Sequence, residues 1–190
     1  ANRNVNKQTV LHVLTSGQET PFVIPEYQRP YSWGVDEICT LFDDLWNFSI
    51  ERGKEDGAKS YFLGCVVSYH ENSVRQIIDG QQRITSLFLL LRAIFAMLES
   101  EDAKTEEAAH FIGEIKPALW KRNEKTGKED RTKMLLTSEV VTDSGNEILR
   151  GILETGKAKD GATDNYSTNY NKFMELYLEK SQNNPLQIYD

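Results

Sequence analysis

Val74-Arg75-Gln76-Ile77-Ile78-Asp79-Gly80-Gln81-Gln82-Arg83-Ile84-Thr85-Ser86-Leu87 is the stretch on which the fold of this chain turns. Val74 to Ile78 is rich in β-branched residues and bounded by polar ones, which predicts a strand. From Ile84 to Leu98 the apolar residues follow helical spacing. Gly80 stands at the junction, where a sharp strand-to-helix turn calls for a residue without a Cβ. The N–H groups of Gln81, Gln82 and Arg83 are then the orphan donors of the first helical turn. The positive end of the helix dipole adds to them, so the turn suits an anion. Arg83 offers a planar fork that matches phosphate oxygens. Asp79, at the strand end, can face a metal, a ribose or a water. The same residues also suit a plainer arrangement, in which Asp79 caps the helix or pairs with Arg83 and the glutamines are merely solvated.

Upstream stands Phe22-Val23-Ile24-Pro25-Glu26-Tyr27-Gln28-Arg29-Pro30-Tyr31-Ser32-Trp33. A short apolar strand, Phe22 to Ile24, runs into a segment whose two prolines limit the backbone and disfavour helix. A rigid loop presenting Gln28, Arg29 and aromatic rings suits a base and phosphates. Alternatively Tyr27, Tyr31 and Trp33 are core residues that close the next helix, a use to which rings with a polar tip are well fitted.

Four ordered blocks, Pro25-Glu26-Tyr27-Gln28-Arg29-Pro30-Tyr31-Ser32-Trp33, Leu41 to Asp44, Tyr61-Phe62-Leu63-Gly64-Cys65-Val66-Val67 and Ile78-Asp79-Gly80-Gln81-Gln82-Arg83, resemble the DUF262 family. That family includes the N-terminal domain of the GmrSD type IV restriction enzymes. The strong match covers roughly residues 20 to 95, with a weaker echo through Met134 to Leu136, Glu147 to Leu153 and Tyr166 to Tyr177. The resemblance implies an α+β, ParB/sulfiredoxin-like core of a small mixed sheet with packed helices. It also implies a module that binds and hydrolyses a nucleoside triphosphate and couples hydrolysis to restriction of modified phage DNA. Carried over residue by residue, Tyr27, Gln28, Arg29, Gly80, Gln81, Gln82 and Arg83 are the expected nucleotide-binding set. Asp79, Arg83 and Gln82 are the expected catalytic set, with Asp79 also the expected Mg²⁺ ligand. The sulfiredoxin branch uses a cysteine in the equivalent turn. Here that turn has none, which argues against redox chemistry.

Composition narrows the class. With 190 residues, the chain reads as a core over 1–120 and a helical extension of the same domain over 121–190. Net charge is −7 and the sequence pI about 5.1, which disfavours a broad nucleic-acid surface. The longest basic-rich stretch, Lys116 to Lys133, is interrupted by Glu124, Glu129 and Asp130. Cys39 and Cys65 are far apart in apolar settings and read as buried, reduced thiols of a cytoplasmic, prokaryotic protein. The most apolar stretch, Leu87 to Leu98, is too short for a bilayer and contains Arg92, so no membrane partner is expected. The missing N-terminal Met and the ending at Asp190 suit a piece of a longer protein.

Periodicity and breakers predict helices over 5–14, 35–48, 81–99, 103–120, 145–153 and 165–180. Strands are expected over 22–24, 61–69, 74–79 and 134–136, with a hairpin turn at Glu71-Asn72-Ser73. Gly64 inside the second strand suggests close backbone approach. Lys121 to Lys133, charged and without apolar residues, reads as a loop open to solvent or to a partner.

The three histidines, His12, His70 and His110, form no His-Asn-His or His-x-x-x-His arrangement. There is no P-loop, no Gly-x-Ser-x-Gly and no zinc ligand set. A nuclease centre is therefore expected in a C-terminal or separate domain. Three readings follow: a Mg²⁺-dependent NTPase serving such a nuclease, a non-hydrolysing nucleotide switch or DNA clamp, and a stand-alone nuclease. The last would need carboxylates clustered around Asp79, for which Asp43 and Asp44 are the only further candidates.

Overall fold

The strand and helix of the Asp79 stretch form with the bounds that the spacing predicts. In the computed structural model, which describes residues 8–52, 63–100 and 105–181, the chain is α+β. Its helices are α1 (Val10–Thr15), α2 (Val35–Arg52), α3 (Gln81–Glu99), α4 (Glu106–Leu119), α5 (Asn146–Thr155) and α6 (Asn165–Lys180). Its strands are β1 (Phe22–Ile24), β2 (Val67–Glu71), β3 (Val74–Asp79), β4 (Trp120–Arg122), β5 (Glu129–Met134) and β6 (Leu136–Ser138).

One mixed sheet has the order β2-β3-β1-β6, and β4 and β5 form a separate ribbon. β1 runs parallel to both β3 and β6, whereas β2 and β3 form an antiparallel hairpin. The hairpin turns on Asn72 and Ser73, both at positive φ (49° and 65°), a conformation two-residue hairpin turns require. This parallel placement puts the end of β1, the end of β3 and the start of α3 side by side.

α3 is the axis of the core. Ile84, Phe88, Leu89, Ala93, Phe95 and Leu98 are each at most 2% exposed. The helix is long and apolar enough to cross a membrane, but 78% of its apolar window is buried inside this fold, as a central core helix requires. α6 lies against it, with Tyr170, Phe173 and Tyr177 buried, and begins with Asp164 accepting the N–H of Ser167 at 2.9 Å.

Deeper along α3, Arg92 is almost fully buried. Its Nε donates to the carbonyl of Leu153 at 3.0 Å, and its guanidinium lies over Phe95 (5.3 Å) and Trp120 (5.1 Å). Trp120 Nε1 donates to the same carbonyl, and Arg131 covers Trp120 at 4.7 Å. Burial holds the Arg92 pKa below its ordinary value, although ring faces make this site tolerable for a cation.

Several expectations need correction. The second strand starts at Val67, not at residue 61. Residues 63–66 form no strand, because Gly64 has φ +105° and the β2–β3 register shifts between Val67 and Ser68; residues 61 and 62 lie outside the described set. The charged run 121–133 is a β-ribbon, not a loop. Asn123 Oδ1 accepts from the N–H groups of Lys125 and Thr126, Gly127 takes φ +67°, and buried Trp120 and Met134 pair at the ribbon's root. α2 continues to Arg52, past the predicted end at 48. The strand expected over 134–136 is two, since β5 ends at Met134 and β6 begins at Leu136, and Cys65, expected to be buried, is exposed. The first helix begins at Val10, after the extended Thr9 cap, not at residue 5, and runs to Thr15 before a 3-10 turn over Ser16–Gln18; residues 5–7 lie outside the described set.

Candidate functional site

Gly80 is the hinge between β3 and α3. Its φ of +86° favours glycine, and a Cβ there would come within 2.8 Å of the Cys65 carbonyl oxygen. Gly80→Ala is therefore expected to cost roughly 1–3 kcal/mol. Urea unfolding measures this, and a loss too small to detect would mean that the turn tolerates a side chain.

The first hydrogen bond of α3 runs from Ile84 N to Gly80 O at 2.9 Å. The N–H groups of Gln81, Gln82 and Arg83 precede it and have no helical acceptor. Asp79 is exposed and does not cap the helix. Its Oδ1 accepts the N–H of Gly80 at 2.8 Å, and Asp79 makes no ion pair with Arg83. One carboxylate oxygen is thus occupied, and the other has no partner among the described residues.

Arg83 is half-buried. Its guanidinium lies over the Trp33 ring at 6.0 Å and fills the space beside Gly64, where a Cβ would come within 2.5 Å of one of its nitrogens. The approach that Gly64 permits is thus that of a side chain. Among the described residues, the guanidinium has no carboxylate or carbonyl partner. A supported, unpaired guanidinium beside free helical N–H groups is suited to an anion.

The two glutamines differ. Gln82 is buried and committed at both ends: Oε1 accepts from the N–H groups of Ser32 (2.7 Å) and Trp33 (3.1 Å), and Nε2 donates to Pro30 O at 3.0 Å. It clamps the upstream loop onto α3. Gln81 Nε2 donates to Gln28 Oε1 at 3.1 Å, while Gln81 Oε1 has no partner among the described residues. Gln28 Nε2 donates in turn to the Ile78 carbonyl at 3.0 Å. Gln28, Gln81 and the strand end are therefore one hydrogen-bonded unit, as the upstream motif and the turn being neighbours requires.

The aromatic residues of the loop separate into two kinds. Tyr31 is a core strut. Its hydroxyl bonds Ser86 Oγ at 2.7 Å and accepts from Asn169 Nδ2 at 2.9 Å, and its ring stacks on Tyr166 at 4.7 Å. Burial pushes the Tyr31 hydroxyl up to about 12, against the opposite pull of Ser86 and Asn169, so it stays neutral at physiological pH. Tyr166 is also raised, chiefly by burial and by its bond to Asp143 at 2.7 Å. Tyr27, by contrast, is 66% exposed. Arg29 is exposed as well and lines a narrow cleft with Gln81, Gln82 and Ser138.

The structure thus places Tyr27, Gln28, Arg29 and Asp79 to Arg83 in one neighbourhood. Asp43 is exposed on α2, and Asp44, half-buried there, is engaged in an interaction of its own. Among the described residues, no group of three or more His, Cys, Asp or Glu could hold a metal. In the 116–133 stretch Lys116, Arg131 and Lys133 are paired with acids, Lys116–Glu129 at 3.0 Å, Arg131–Glu99 at 2.8 Å and Lys133–Asp130 at 3.8 Å.

A family model described as the N-terminal domain of the GmrSD restriction endonuclease matches residues 10–190. No curated protein matches the chain.

Proposed function

The chain belongs to the family of GmrSD restriction-endonuclease N-terminal domains, and from that premise we propose that it binds a nucleoside triphosphate at the Asp79–Arg83 turn, hydrolyses it, and couples hydrolysis to DNA cleavage by a partner nuclease domain. The observation that carries this reading is the Arg83 guanidinium, held by Trp33 and Gly64 beside the α3 start and without a carboxylate or carbonyl partner among the described residues. Together they supply donors for phosphate oxygens and for the charge that grows during phosphoryl transfer. Arg29 contributes a second cation from the loop.

Asp79 fits Mg²⁺ in the way this ion is usually held, by one or two carboxylates with the phosphates supplying the rest, because one of its oxygens has no partner among the described residues. A metal bound there would neutralise phosphate charge. Gln82, expected in the catalytic set, has both ends engaged, so orienting the attacking water falls to Gln81, whose Oε1 has no partner among the described residues. Gln82 acts by fixing the loop that carries Trp33.

A non-hydrolysing nucleotide switch is favoured by one observation, that Gln82 is withdrawn from chemistry and leaves few groups to activate water. Phosphate release by purified protein, with and without DNA, separates the two. Release that depends on Mg²⁺ supports hydrolysis. Saturable nucleotide binding without release supports the switch.

DNA cleavage is assigned to the partner domain because the described residues offer no cluster of metal-ligating side chains and the chain carries a net charge of −7. Incubated alone with plasmid and Mg²⁺, the chain is expected to leave it intact. Nicking that disappears in Asp79→Ala would instead make this domain a nuclease.

A further inference from the structure

Four of the eight large apolar residues that are exposed among the described residues gather around the β2–β3 hairpin: Tyr27 (66%), Ile78 (44%), Val67 (44%) and Tyr69 (38%). Such grouping next to a ligand site marks a surface that something covers. Tyr69 pairs with Gln76 across the hairpin, and Ile78 lies two residues beyond Gln76, so strand alternation puts Tyr69, Gln76 and Ile78 on one face. The opposite face carries Ile77, which is fully buried. Tyr27 comes from the loop to join the outer face beside Tyr69, whose pKa it raises.

We propose that this face, with Tyr27 and Tyr69 as its two rings, is the stacking platform for the base of the nucleotide whose phosphates lie on the Asp79–Arg83 turn. The inference rests on the nucleotide-binding reading given above and adds where the base goes. Tyr69 is opposite Gln76, three strand residues before Asp79. At about 3.3 Å per residue that is about 10 Å, on the order of the span from a base to its terminal phosphates. Gln28 joins the two ends, since its side chain bonds both the Ile78 carbonyl and Gln81 while its backbone neighbour is Tyr27. A flat ring can stack on the two tyrosines.

The test compares inorganic tripolyphosphate with the four common nucleoside triphosphates, each with Mg²⁺, by calorimetry on the purified protein. Stacking of a base on aromatic side chains is worth a factor of about 5 to 150 in affinity. At least one triphosphate nucleotide is therefore expected to bind the wild type tighter than tripolyphosphate by that factor. Tyr69→Ala, and Tyr69→Thr as a variant that keeps β-propensity, should remove this margin and leave tripolyphosphate affinity unchanged. Equal binding of tripolyphosphate and all four nucleotides by the wild type overturns the platform while leaving the phosphate site intact. So does a margin that persists in a folded Tyr69 variant. Failure of the wild type to bind either kind of ligand overturns the phosphate site, and the platform with it.

Discussion

Asp79→Asn is expected to lower phosphate release by about 10²- to 10⁴-fold while nucleotide binding persists. The substitution is nearly isosteric, and an Asn oxygen can accept the Gly80 N–H as Asp79 Oδ1 does at 2.8 Å. The turn should therefore keep its shape. What is lost is the negative charge that a Mg²⁺ ion or an attacking water would use. Phosphate release and calorimetric affinity measured on the same preparation separate these effects. Full release by the mutant would leave Asp79 with no task beyond holding Gly80 in place.

Trp120→Ala should destabilise the fold by about 3–5 kcal/mol, the usual cost of emptying a large aromatic site. Trp120 is fully buried, packs edge-on against Phe95 at 5.0 Å and donates to Leu153 at 3.0 Å. It also supplies one of the two ring faces over which buried Arg92 lies. Removing it leaves a cavity and a less supported cation together. Because domain stabilities are only about 5–15 kcal/mol, much of the total would go. Urea denaturation of wild type and mutant measures the difference, and a loss below about 1 kcal/mol would show that the core collapses around the gap.

The Asp79 turn was legible in the sequence because its signals are local. β-Branched residues end at Asp79, glycine stands where φ is positive, and apolar residues recur at helical spacing from Ile84. α6 was legible from its helical spacing alone, over 165–180. The ribbon of β4 and β5 was not. Glu129 to Lys133 has no apolar alternation, and what makes it a strand is the Asn123 turn together with distant anchors at Trp120 and Met134. Gln82 was hidden differently. Its partners are backbone groups of Pro30, Ser32 and Trp33, about fifty residues away, and no side-chain pattern announces such a clamp. Tyr31 and Tyr27, four residues apart in one motif, show the same limit: one is a core strut and the other a surface ring, a difference set by α6, which carries Asn169 and Tyr166 to the first.

The most direct measurement is a calorimetric titration of wild type and Arg83→Ala with each of the four nucleoside triphosphates plus Mg²⁺. A hydrogen bond to a charged group contributes about 1.5–3 kcal/mol. Saturable binding of at least one triphosphate by the wild type is predicted, weakened about 10- to 150-fold in a folded Arg83→Ala. Unchanged affinity in the folded mutant, or no binding by the wild type, would contradict a phosphate site at this turn.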